Sequence, residues 1–158
     1  MTAPAPRPAE YLLGAFFPGT SAPHLHMTVC VMQATKWGEQ TVRDAKALAR
    51  WALPLRVRVG ERAQFGAANQ IPVRLLHVLD ADKKAMLDAF YGVWFTPLPG
   101  EEARHSQNFH VTVKKLPAAE ADALAGKEVE LAVMFLKVVG QDAFLWRSDQ
   151  PEQEERDT

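Results

Sequence analysis

The chain has 158 residues, enough for one domain with a sizeable core, and its 47% hydrophobic and 23% charged residues exclude a disordered or fibrous class. Eighteen Lys and Arg nearly balance nineteen Asp and Glu, but five of the acids fall in the last ten residues beside a single Arg. Without that segment 17 basic residues face 14 acidic ones, a net +3 that suits a small anionic ligand and excludes the basic stripe of a long-duplex binder.

Residues 1–10 carry three prolines and no apolar signal-peptide core, so they read as a flexible leader. Cys30 is the only cysteine, which rules out an internal disulfide. No apolar run approaches membrane-spanning length. Together these features predict a soluble, intracellular, cytoplasmic monomer with no membrane partner.

Tyr11 to Phe17 is a short aromatic-rich run stopped by Pro18-Gly19 and predicts a strand. After a brief loop, Leu25 to Met32 predicts a second strand. It opens with the pentad Leu25-His26-Met27-Thr28-Val29, apolar-His-apolar-Thr-apolar. Strand alternation puts His26 and Thr28 on one face and Leu25, Met27 and Val29 on the other. The same alternation, continued, puts Cys30 and Met32 on the His26 face, with Cys30 as wall packing rather than a nucleophile. Thr41, Ala45, Leu48 and Ala52 follow at helical spacing, with Arg43, Asp44, Lys46 and Arg50 opposite, and Pro54 ends that helix.

Leu55 to Val59 alternates as a half-exposed strand continuing toward Phe65, in which Arg56 and Arg58 read as a solvated face. Val73 to Leu79 predicts a more buried strand holding Arg74 and a satisfied core histidine, His77. Asp80 or Asp82 can cap a helix over about 83–95 with Met86, Phe90 and Val93 or Trp94 inward. A polar loop over 96–108 leads to Phe109-His110-Val111-Thr112-Val113, which repeats the first pentad's pattern 84 positions on, in a strand expected to reach about Lys115. A short helix over 118–124 and a closing pair of strands, 129–139 and 143–147, complete a domain over 11–147. Residues 148–158 lack an apolar pattern and predict a disordered acidic tail.

The two pentads resemble the paired His-x-Thr/Ser-x signatures of the 2H phosphoesterase superfamily, which includes bacterial RNA cyclic phosphodiesterases of the LigT type, tRNA-ligase phosphodiesterase domains and phage enzymes that cleave cyclic oligonucleotides. The resemblance covers about residues 10–147 in layout, and only the pentads are specific. It implies an α+β fold of two pseudo-symmetric lobes of antiparallel sheet, helices outside and an active groove between them. One departure is visible: only Pro18 to His24 separates the first two strands, where many members carry a helix.

Histidine titrates nearest neutrality, so two imidazoles can supply a base for water and an acid for the departing oxygen. The expected catalytic set is His26, Thr28, His110 and Thr112, the threonine hydroxyls donating to the phosphate's non-bridging oxygens. Trp37 is a candidate for base stacking, and Lys114, Arg104 and His105 for further substrate contact. The activity so implied is metal-independent, cofactor-free hydrolysis of a cyclic phosphate or 3′–5′ diester in RNA ends or small cyclic oligonucleotides, an RNA-processing or signal-degrading chemistry. The alternatives are a catalytically silent nucleotide-binding module of the same fold and a metal-binding protein using His24 and His26, which strand spacing would put on one face.

Overall fold

The structure is a computed structural model and describes residues 10–22, 24–33, 39–65, 71–94, 109–138 and 143–157. Along the chain run β1 (Glu10–Phe16), β2 (His26–Gln33), α1 (Glu39–Ala52), β3 (Leu55–Phe65), β4 (Ile71–Val78), α2 (Ala81–Trp94), β5 (His110–Thr112), α3 (Ala118–Ala123), β6 (Glu128–Leu131), β7 (Val133–Val138), β8 (Ala143–Arg147) and β9 (Gln150–Asp157). The protein is thus α+β, with one antiparallel sheet in the order β6-β3-β4-β5-β2-β1-β7-β8-β9. None of the helices is long and apolar enough to cross a membrane.

The amphipathic pattern of α1 is realised as read: Thr41, Ala45, Leu48 and Ala52 are all buried, and Ala49 joins them. Asp80 caps α2, its Oδ1 accepting from the amides of Asp82 and Lys83 at 2.9 and 3.1 Å. The inner stripe of α2 differs from expectation at Met86, while the side chains of Phe90, Val93 and Trp94 lie outside the described residues. Leu87 is fully buried, whereas Met86 is 46% exposed. Residues from α1, α2 and α3 join Leu13, Ala15, Met27, Val57, Val111 and Leu136 in one apolar cluster, so the helices cover one face of the sheet. On the other face Phe135, Ala143 and Leu145 form a smaller cluster with Leu12 and Phe16.

Only Ala132 separates β6 from β7, yet β6 is one edge of the sheet and β7 lies six strands away. On a flat sheet that separation would be about 29 Å, whereas two peptide links span at most about 7.6 Å. The sheet must therefore curl until the two strands meet. This explains why the expected single strand over 129–139 is split at Ala132.

Two further expectations are corrected. Residues 150–157, read as part of a disordered tail, pair with β8 as β9, with Ala143 across from Asp157 and Leu145 across from Glu155. Backbone pairing to an open sheet edge needs no apolar pattern, which is why the composition did not reveal it. His77 is a surface residue, with Nε2 3.3 Å from a Glu61 carboxylate oxygen. Arg74, by contrast, is buried. Arg56 and Arg58 do lie on an exposed strand face, both paired with Glu128.

Candidate active site

The two pentads, 84 residues apart in the chain, become neighbours at the middle of the sheet. β2 and β5 pair antiparallel with Met27 across from Val111. In an antiparallel ladder that register sets His26 across from Thr112 and Thr28 across from His110, with side chains on the same face. Burial bears this out: Leu25, Met27, Val29, Phe109 and Val111 are buried, while His26, Thr28, His110 and Thr112 are half-buried. The four polar side chains therefore form one quartet on the face away from the helices.

Neighbouring strands frame the quartet with apolar groups. On the β1 side Phe16 pairs with His26 and Gly14 with Thr28. On the β4 side Leu75 pairs with His110 and Val73 with Thr112. Phe135 on β7 lies over Gly14, stacks on Phe16 at 4.6 Å between ring centroids and meets the His26 ring edge-on at 5.4 Å. Gly14 is required for this arrangement, since a Cβ there would stand 2.9 Å from both the Met27 carbonyl oxygen and the Phe135 ring. Apolar walls lower the local dielectric and strengthen interactions of charge within them.

The His26 ring is held by a hydrogen bond as well. Its Nδ1 is 3.1 Å from the carbonyl oxygen of His24. A carbonyl only accepts, so Nδ1 carries the proton in this contact and Nε2 is the nitrogen left to exchange one with a ligand. His24 itself has φ of 64°, a left-handed backbone conformation uncommon outside glycine. Its place is therefore in the turn before β2, not on the strand face that the His24-x-His26 spacing suggested. Its ring lies tilted against Phe16 at 5.9 Å. Among the described residues no group of three His, Cys, Asp or Glu could hold a metal ion.

The loop before β2 is tied to the helix after β5. The Ser21 amide and hydroxyl donate to the Glu120 carboxylate at 2.7 and 2.5 Å, which holds that carboxyl below its usual range. A lowered carboxyl pKa means the tie is present above the ordinary glutamate range and is lost as pH falls through the folded value.

Cys30 does not share the His26 face. A bulge at Val29 pairs Leu13 with Cys30 and Gly14 with Thr28, so the extra residue turns Cys30 onto the core side. Burial there pushes its thiol up to about 12. The thiol should resist iodoacetamide at pH 8, reacting on the order of a thousandfold slower in the native than in the unfolded protein, as its thiolate fraction dictates. Because the unfolded thiol ionises first, stability should decline as pH rises above the ordinary thiol range of about 8.5. Alkylation of the native protein at the unfolded rate would contradict this burial.

Lys114 is also displaced from expectation. β5 ends at Thr112, and Lys114 lies in the following turn, at a cavity bordered by Arg74. Trp37, Arg104 and His105 fall outside the described residues. Phe16, Phe135, Gly14 and the His24 carbonyl were not singled out from sequence. A glycine inside the strand pattern of Tyr11 to Phe17 was the available signal, since it marks close approach of another group. Compared with known proteins, the chain matches no protein-family model, and no curated protein matches it.

Proposed function

We propose that the protein is a metal-independent phosphodiesterase of the 2H type, opening a cyclic phosphate or cleaving a 3′–5′ diester in RNA ends or small cyclic oligonucleotides. The observation that carries this reading is the Met27–Val111 register, which gathers two imidazoles and two hydroxyls on one face. His26 and His110 lie diagonally across the strand pair, at about 7–8 Å between backbones for such positions. A phosphate seated between them has an imidazole on either side of phosphorus. One neutral imidazole takes a proton from water as its oxygen attacks, and the other, protonated, gives its proton to the departing ribose oxygen. Thr28 and Thr112 donate hydrogen bonds to the non-bridging oxygens as negative charge builds. His26 takes part through Nε2, since Nδ1 is engaged by His24.

In this reading the strands on either side of the β5–β2 seam are the two lobes, and the groove runs along the seam. Strand order supports it: β4, β3 and β6 extend from β5, and β1, β7, β8 and β9 extend from β2. The protein acts in the cytoplasm as a monomer on a small nucleotide substrate.

The test is incubation with 2′,3′-cyclic mononucleotides and cyclic di- and trinucleotides in excess EDTA, with products identified by mass. A linear phosphomonoester or opened ring is expected, with a bell-shaped pH dependence from one acid and one base. Activity abolished by EDTA and restored by a metal would overturn the mechanism. Saturable binding without product would replace it with a binding module.

A further inference from the structure

The opposite, helix-covered face of the sheet holds a cluster of cations. Arg74 on β4 lies across from Val111 on β5 and from Arg62 on β3, so it points to the helix side, away from the His–Thr quartet. It borders a cavity of about 290 Å³ between β3, β4, the turn after β5 and α3. Leu116 and Ala121 supply apolar wall, and Arg62, Gln64 and Lys114 supply polar lining.

Arg74 is only 7% exposed, and its hydrogen bonding is incomplete. Nη1 donates to the Gly60 carbonyl at 3.0 Å. Nη2 stands 3.7 Å from Asp122 Oδ1, beyond hydrogen-bond length, and Nε is buried with no partner among the described residues. Nε and Nη2 form the edge of a guanidinium that grips a carboxylate or phosphate with two parallel bonds. A buried N–H of a charged group left unmade is costly, so an acceptor placed there gains more than at a solvated arginine.

Charge narrows the ligand. Among the described residues the lining carries three cations, Arg62, Arg74 and Lys114, and no carboxylate, and the adjacent Asp122 pairs with both arginines. The remaining charge of +2 matches a dianion. We propose that this cavity binds a phosphate monoester, with its phosphate on the Arg74 edge and the Arg62 and Lys114 cations, and its organic body against Leu116 and Ala121. The volume sets an upper size of about one nucleotide, at the small end of ligand pockets. The site is separate from the quartet and does not depend on the quartet being catalytic.

Calorimetric titration at constant ionic strength tests this with adenosine 5′-monophosphate, inorganic phosphate and benzoate. One equivalent of the monophosphate should bind, more tightly than inorganic phosphate because of the apolar wall, and benzoate should bind weakest. Arg74→Lys, which keeps the charge and loses the two-pronged edge, should weaken binding by about tenfold or more. Arg62→Ala and Lys114→Ala change exposed side chains, and each should weaken it by about threefold to tenfold; they keep the test intact if the Arg74 variant fails to fold. The His26→Ala/His110→Ala double variant should bind as the parent does. Absence of saturable binding up to about 10 mM, affinity unchanged in all three cation variants, loss of binding in the double-histidine variant, or benzoate binding as tightly as the monophosphate would each overturn the assignment.

Discussion

Replacement of His26 or His110 by alanine is expected to lower kcat/KM on the true substrate by about 10³, the scale of one positioned proton-transfer group, with the fold retained and Tm lowered by at most about 10 °C. Both side chains are half-buried on the open face, while Met27 and Val111 hold the strand pair together from behind. His26→Ala gives up the edge contact with Phe135 and the bond to the His24 carbonyl, together about 1–3 kcal/mol. His26→Asn is the informative companion, since its amide nitrogen can still donate to that carbonyl but cannot relay a proton at neutral pH. It should recover stability and leave turnover as low as in the alanine variant. The double-histidine variant should be little slower than either single one, because acid and base act as a unit. Steady-state kinetics with a thermal melt on each variant decide the matter. A single variant near the parental rate would sink the proposed pairing.

The quartet was legible as four residues but not as a constellation. Alternation within each pentad follows from local strand geometry, and the burial of Met27 and Val111 agrees with it. Which strand lies beside which is a long-range pairing, and nothing in either pentad encodes its partner. Local pattern failed where one residue altered the period. The bulge at Val29 moved Cys30 from the site face to the core, and the early end of β5 took Lys114 out of alternation with His110. Helix α1 was legible throughout because its apolar stripe repeats for three turns. His77 was misplaced for a different reason. A period-2 pattern does not tell which face of β4 is covered, and α3, which packs near Arg74 through Asp122, comes from more than 40 residues later.

The pairing of roles across the strands, rather than within each pentad, is the consequence of the register that most sharply tests it. Thr28→Val and Thr112→Val remove a hydroxyl at nearly constant shape, and each is expected to lower kcat/KM by about 10² or more, as loss of one donor to a developing oxyanion does. Directly opposed residues have Cβ atoms about 4.5–5.5 Å apart, whereas residues two apart on one strand are about 6.5–7 Å apart. On the proposed function His26 would therefore share its side of the phosphate more closely with Thr112 than with Thr28, and His110 more closely with Thr28 than with Thr112. In double-mutant cycles on kcat/KM, His26 with Thr112 and His110 with Thr28 should couple by about 1–2 kcal/mol, and the two same-strand pairs by less. Stronger coupling within the pentads would mean that each His–Thr unit works on its own strand, and that the seam between β2 and β5 is not where phosphorus sits.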